Sequence, residues 1–187
     1  HQTTHLATSI VACEAFFGRA LDADALREAA ATVRSPGRLE VASLAPTILI
    51  DGAHNEEGFR GLSVTLDNEF SEDSWVLVIG ARGGRDVGTL VASLQGKVAH
   101  VIATQADDHL AIPATEVATA AGEELEVSSE VVVPTADAVA AALAAVGDGQ
   151  GVIVAGSLYV IGEARHALSL DNAPSPVHRR FEAEIPE

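Results

Sequence analysis

Six short apolar runs, separated by stretches with helical periodicity, most constrain how this chain can fold. They are LEVASL (39–44), TILID (47–51), WVLVIG (75–80), HVIAT (100–104), EVVVP (130–134) and GVIVAG (151–156). The first alternates apolar and polar residues. Most of the others are apolar at consecutive positions, the pattern of strands buried on both faces. Between them, helices are predicted over 56–70, 86–95, 113–121 and 136–146, with a last one over 157–170. Strands alternating with helices build a largely parallel sheet covered on both sides. The expected fold class is therefore α/β: a Rossmann-like, mostly parallel six-stranded sheet with helices on both faces and right-handed crossovers.

A short helical segment precedes this domain. In residues 4–17, Ala7, Ile10, Val11, Ala15 and the Phe16–Phe17 pair recur at spacings of three and four, and Gly18 ends the helix. Asp22 or Asp24 can cap a second helix through Ala25, Leu26, Ala29 and Val33 before Ser35-Pro36-Gly37 breaks the chain. The expected divisions are 1–34, 35–170 and an irregular tail over 171–187, which carries three prolines and mixed charge. The 187 residues contain no methionine, position 1 included, and a helical pattern begins almost at once. Both features are expected of a piece of a longer protein.

Composition excludes several classes. A net charge of -16 with a single lysine, Lys97, argues against nucleic acid, because phosphate contacts need clustered Lys and Arg. No apolar run approaches the roughly 18–20 residues of a membrane span, and no secretory signal is visible, so the cytoplasm is the default expectation. Cys13 lies in an apolar helical stretch and is expected to be an inert core cysteine. The histidines and the cysteine show no metal-ligand spacing, so no metal site is expected in this chain.

Ligands of such sheets bind beyond the carboxyl ends of the strands. Three strand ends here carry unusual polar residues: Asp51-Gly52-Ala53-His54-Asn55, the loop 80–86 with Arg82 and Arg85, and Gly156-Ser157-Leu158-Tyr159. Asp51 could accept ribose hydroxyls or pair with a cation. His54 could shuttle a proton or position a carboxylate. The structural alternative makes Asn55 and Ser157 helix caps and the arginines a solvated surface. The glycines of 80–84 do not match G-x-G-x-x-G or a Walker A loop, so an NAD-linked enzyme lacks its fingerprint. GSLYVIG is not the G-x-S-x-G elbow of a serine hydrolase.

Five segments together resemble the folylpolyglutamate synthase/dihydrofolate synthase family, relatives of the Mur ligases. They are HQ with an Ala-rich helix (1–15), SPGRLEV (35–41), ILIDGAHN (48–55), VLVIGARGGRD (76–86) and VIVAGSLYVIGEAR (152–165). The resemblance implies an ATP-dependent ligase that adds L-glutamate to folate or dihydropteroate through an acyl phosphate. It implies ATP and Mg²⁺ as cofactors, with the P-loop and magnesium ligands on an N-terminal ATPase domain that this chain lacks. Residues 1–34 resemble that domain's final helices, and 38–168 its C-terminal partner. By resemblance, Arg38 contacts ATP phosphate, Asp51 contacts the ribose or base, and His54 and Ser157 lie near the glutamate site and reaction centre. The sequence departs from the family at His5 (usually Asn), at Glu56 (commonly Pro), at Gly84-Arg85-Asp86 (a D-K-D-like segment) and in lacking P-R-A before the 113–121 helix. The competing expectation is a stand-alone nucleotide- or amino-acid-binding module without catalysis.

Overall fold

The computed structural model describes residues 2–170; the tail expected over 171–187 lies outside them. The chain divides after Pro36 into two compact units.

The first unit is a pair of helices, α1 (Gln2–Phe17) and α2 (Ala23–Thr32). Asp22 caps α2 by accepting the amides of Asp24 and Ala25, and Glu14 accepts the amide of Leu21 at 3.0 Å to close the turn between the helices. None of residues 5–36 is buried. Phe16 is 83% exposed, and Cys13 is exposed, not the core cysteine the apolar pattern suggests. Two helices alone lack the further layer needed to enclose an apolar stripe.

The second unit begins with an antiparallel hairpin, β1 (Glu40–Leu44) and β2 (Thr47–Ile50). Then follow α3 (Glu56–Glu69), β3 (Ser74–Ile79), α4 (Val87–Val91), β4 (Val98–Ala103), α5 (Ala114–Leu125), β5 (Ser128–Val131), α6 (Thr135–Ala145), β6 (Gln150–Ala155) and α7 (Leu158–Ala167). The strand order is β1-β2-β6-β3-β4-β5, and every pairing except β1–β2 is parallel.

Both sheet faces are covered, which is why these strands read as continuous apolar runs. One core sets Phe59 and Leu62 of α3, Leu90 of α4 and Val117 of α5 against Leu49, Leu77, Val101 and Ile153. The other sets Ala138 and Val139 of α6 and Ile161 and Ala164 of α7 against Ile50, Val76, Val78 and Val154.

Three elements differ from expectation. The helix over 86–95 shortens to α4 and tightens into a 3₁₀ turn, Ala92–Leu94, because β4 begins at Val98, two residues before the apolar run suggests. Helix α5 continues past Ala121 to Leu125. The fifth strand is Ser128–Val131 and not 130–134. It is an edge strand, exposed along its length, whose position follows its ladder with His100–Ala103. Its apolar end leaves the sheet as Pro134, which has no amide hydrogen, opens α6.

The chain runs from β2 past β6 to β3, steps outward to β5, and returns through α6 to place β6 between β2 and β3. The loops after β2, β6 and β3 therefore separate at the centre of the sheet, where doubly wound folds bind ligands.

Candidate functional site

The loop after β2 is locked to the one before β1. Asp51 is 3% exposed. Its Oδ2 accepts the amide of Leu39 at 2.6 Å and its Oδ1 the amide of Ala53 at 2.8 Å. Gly52 donates its amide to the Gly37 carbonyl at 2.6 Å, and Arg38 Nη1 donates to the Gly52 carbonyl at 3.2 Å. Leu39 is held at φ 48, a costly conformation for a branched side chain, and the Asp51 bond to its amide fixes it there. Burial pushes the Asp51 carboxyl above its ordinary range, against the opposing pull of the Leu39 and Ala53 amides, Arg38 and His54. Glu40 extends the clamp: Oε2 accepts the Gly37 amide at 2.7 Å and Arg165 Nε at 2.9 Å.

His54 Nδ1 lies 2.7 Å from the Gly52 carbonyl. A carbonyl only accepts, so Nδ1 carries the proton, and Nε2 of the neutral ring is left with a free lone pair. Asn55 caps α3 by accepting the amide of Gly58 at 2.8 Å. Ser157 caps α7, its Oγ accepting the amide of Tyr159 at 3.3 Å. The capping alternative thus holds for both residues, and Ser157 also lines a cleft. Before it, Gly156 has φ +100, and a Cβ there would lie 2.5 Å from the Gly80 carbonyl. Only glycine lets β6 turn this close to β3.

The cleft measures about 190 Å³ and is lined by His54, Arg82, Arg85, Gly156, Ser157, Leu158 and Tyr159. It joins all three strand ends singled out in the sequence. Arg38 and Asp51 do not line it. Arg82 is held twice: its Nε donates to Asp108 Oδ2 at 2.5 Å, and its guanidinium carbon lies 4.9 Å from the centre of the Tyr159 ring. Arg82 holds Asp108 below the ordinary carboxylate range and is itself raised by it.

Sequence reasoning missed Glu40, Arg165, Glu163 and Asp108. The first three lie inside GRLEV and GEAR, segments whose spacing alone shows no partner. Glu163 accepts the Asp107 amide at 2.9 Å and the Thr135 hydroxyl at 2.5 Å, tying α7 to the loop after β4 and to α6. Asp108 stands 26 positions from Arg82 in a loop with no motif.

Comparison with known proteins agrees with this fold. Residues 37–158 match the family model described as Mur ligase, glutamate ligase domain. The dihydrofolate synthase/folylpolyglutamate synthase of Mycobacterium tuberculosis is 34% identical over 91% of this chain and 39% of its own length. A probable bifunctional folylpolyglutamate synthase/dihydropteroate synthase of Haloferax volcanii is 36% identical over 78% of this chain and 17% of its own length. The chain thus spans well under half of these relatives. The crystal structure of M. tuberculosis folylpolyglutamate synthase complexed with ADP and AMPPCP superposes with a TM-score of 0.77 at 35% identity, over 87% of this chain and 38% of that one. On the matched domain, the motifs and the sheet that carries them, this chain belongs to the Mur ligase glutamate ligase domain family, with folylpolyglutamate and dihydrofolate synthases as its relatives.

Proposed function

We propose that this chain is the C-terminal domain of an ATP-dependent ligase that adds L-glutamate to folate or dihydropteroate, acting in the cytoplasm. Residues 1–34 would be the last helices of a preceding ATPase domain. The observation that carries this reading is the cleft that brings His54, Ser157 and two arginines together at the switch point of the sheet. ATP supplies the phosphoryl group that activates the acceptor carboxylate as an acyl phosphate, and Mg²⁺ neutralises charge during that transfer.

This chain's residues fit the nucleotide in part. Arg38 is exposed, spends one N–H on Gly52 and keeps others for a phosphate. Asp51 is buried with both oxygens engaged, so it would serve the nucleotide by setting the loop that presents Arg38. The magnesium ligands belong, on this reading, to the preceding domain. His54, through its free Nε2, would accept the proton that the glutamate amine loses as it attacks. The Ser157 hydroxyl would orient the carboxylate end of the incoming amino acid.

The test is the complete ligase with His54→Ala, assayed for glutamate-dependent ADP release with folate and with dihydropteroate as acceptors. Loss of a general base lowers kcat by about 10²–10⁴-fold. The ring is part-exposed at a strand end, so the melting temperature should stay within a few degrees. Unchanged turnover in a folded variant would remove His54 from the chemistry.

A further inference from the structure

The cleft contains a polar assembly that the reading above leaves without a role. The backbone at Arg82 is pinned by an antiparallel bridge to Ala111, with Gly83 donating to the Leu110 carbonyl at 2.7 Å and Ile112 to the Ala81 carbonyl at 2.9 Å. The side chain is pinned separately. The Asp108 side chain is 5% exposed and accepts the Nε–H hydrogen bond, while Tyr159 supports the guanidinium from α7. These contacts orient the Arg82 side chain, which is 40% exposed. Its terminal N–H donors remain, in a planar fork that matches a carboxylate.

Arg85 lies three residues on, exposed, on the wall of the same cleft. The fixed charges among the residues that line the cleft are those of Arg82 and Arg85, in a chain whose net charge is -16. That local reversal of sign favours an anion. The space limits which one: about 190 Å³ is below the roughly 300–1,000 Å³ of sites for drug-sized ligands. A single amino acid suits it better than a nucleotide or a fused-ring acceptor.

We propose that Arg82, oriented by Asp108 and Tyr159, receives a carboxylate of the incoming amino acid and, with Arg85, makes the site selective for a dicarboxylic amino acid over its amide or a neutral analogue. Asp108 is a positioning residue, which touches Arg82 and does not line the cleft; Tyr159 supports Arg82 and also lines the cleft. The inference rests on the proposed ligase reading and adds to it which residues choose the amino acid. An amide offers the fork only one acceptor and no charge, and losing a charge-assisted pair weakens binding by about ten- to a hundredfold.

The complete ligase carrying Arg82→Gln, Arg82→Lys, Asp108→Asn or Tyr159→Leu tests this, with KM and kcat measured for L-glutamate, L-glutamine and ATP. Arg82→Gln should raise the glutamate KM about tenfold or more and narrow the preference for glutamate over glutamine by a similar factor. ATP KM should stay within about twofold. Arg82→Lys, which keeps the charge but not the fork, should recover part of the loss. Asp108→Asn should raise glutamate KM more than it changes kcat. The Asp108 side chain is largely enclosed and that variant could misfold; Tyr159 is 48% exposed, so Tyr159→Leu keeps the test open, with a glutamate KM raised about threefold or more. A rise in ATP KM with glutamate KM unchanged would overturn the inference and assign Arg82 to the nucleotide. Wild-type kinetics in folded Arg82→Gln would overturn it outright while leaving the ligase reading intact. A wild-type ligase that incorporates no amino acid would overturn both.

Discussion

Asp51 combines a motif position with a structural task, and the two make opposite predictions. A carboxylate at a strand end, outside the core, is expected to matter for activity and little for stability. The structure buries it and uses both oxygens on the amides of Leu39 and Ala53. Asp51→Ala strands one buried and one part-buried donor, the buried one worth about 1–3 kcal/mol, so the variant should lose about 2 kcal/mol in urea unfolding of this chain. Equal midpoints would show that the clamp is dispensable. The pH dependence has a definite sign. Burial raises the folded-state pKa of Asp51, so its stabilising contribution is complete below the unfolded carboxyl range and declines as pH rises through the raised value. Asp51→Asn has no such titration. The stability gap between wild type and Asp51→Asn should therefore be widest in acid and narrow toward neutrality, and a gap that widens with pH would refute the assignment. Asp51, His54 and Ser157 stand out in the sequence because each sits in a short polar motif after a strand, and Arg38 because its segment resembles the family's; their roles remain proposals. Asp108 does not stand out, because only the fold brings it to Arg82.

At the scale of elements, α7 and β1 are joined by one ion pair. Glu40 and Arg165 stand 125 positions apart, with side chains only 10% and 13% exposed. Arg165 Nη2 also donates to the Leu170 carbonyl at 3.0 Å, and Glu40 holds the Gly37 amide. Removing one partner leaves the other charge largely desolvated. Arg165→Ala should cost about 2–4 kcal/mol by urea denaturation and loosen the loop that presents Arg38. A loss below about 0.5 kcal/mol would mean that water replaces the pair. A second contact shows how the central strands are matched. A Cβ at Gly151 of β6 would meet the Trp75 ring of β3 at 2.3 Å, so Gly151→Ala should destabilise by about 1–3 kcal/mol through overpacking, with a lower melting temperature as readout. The apolar runs revealed six strands because each central strand is buried on both faces. They misplaced β5 because an edge strand takes its register from a neighbour and not from burial.

At the scale of the whole molecule, the chain spans 39% of the length of its M. tuberculosis relative, and the proposed division of labour follows from where charge is found. Phosphoryl transfer depends on electrostatic stabilisation by phosphate-cradling amides and metal ions. Among the described residues no group of three or more His, Cys, Asp or Glu side chains could hold a metal ion. Positive charge lining the cleft comes from Arg82 and Arg85, with Arg38 bonded to the loop after β2, in a strongly acidic chain. On the proposed reading, such a domain would orient an amino acid and touch a nucleotide, and activation of the carboxylate would fall to the preceding domain. The 187-residue chain alone should therefore form no ADP in the presence of ATP, Mg²⁺, L-glutamate and folate. A half-site forfeits the contacts of the missing partner while still losing the ligand's freedom of motion, so calorimetry should give a Kd for L-glutamate of about 1 mM or weaker. Turnover by the isolated chain would overturn the proposed division. Binding near 1 μM without turnover would instead mean that the cleft is already complete, and would make the chain a binding module in its own right.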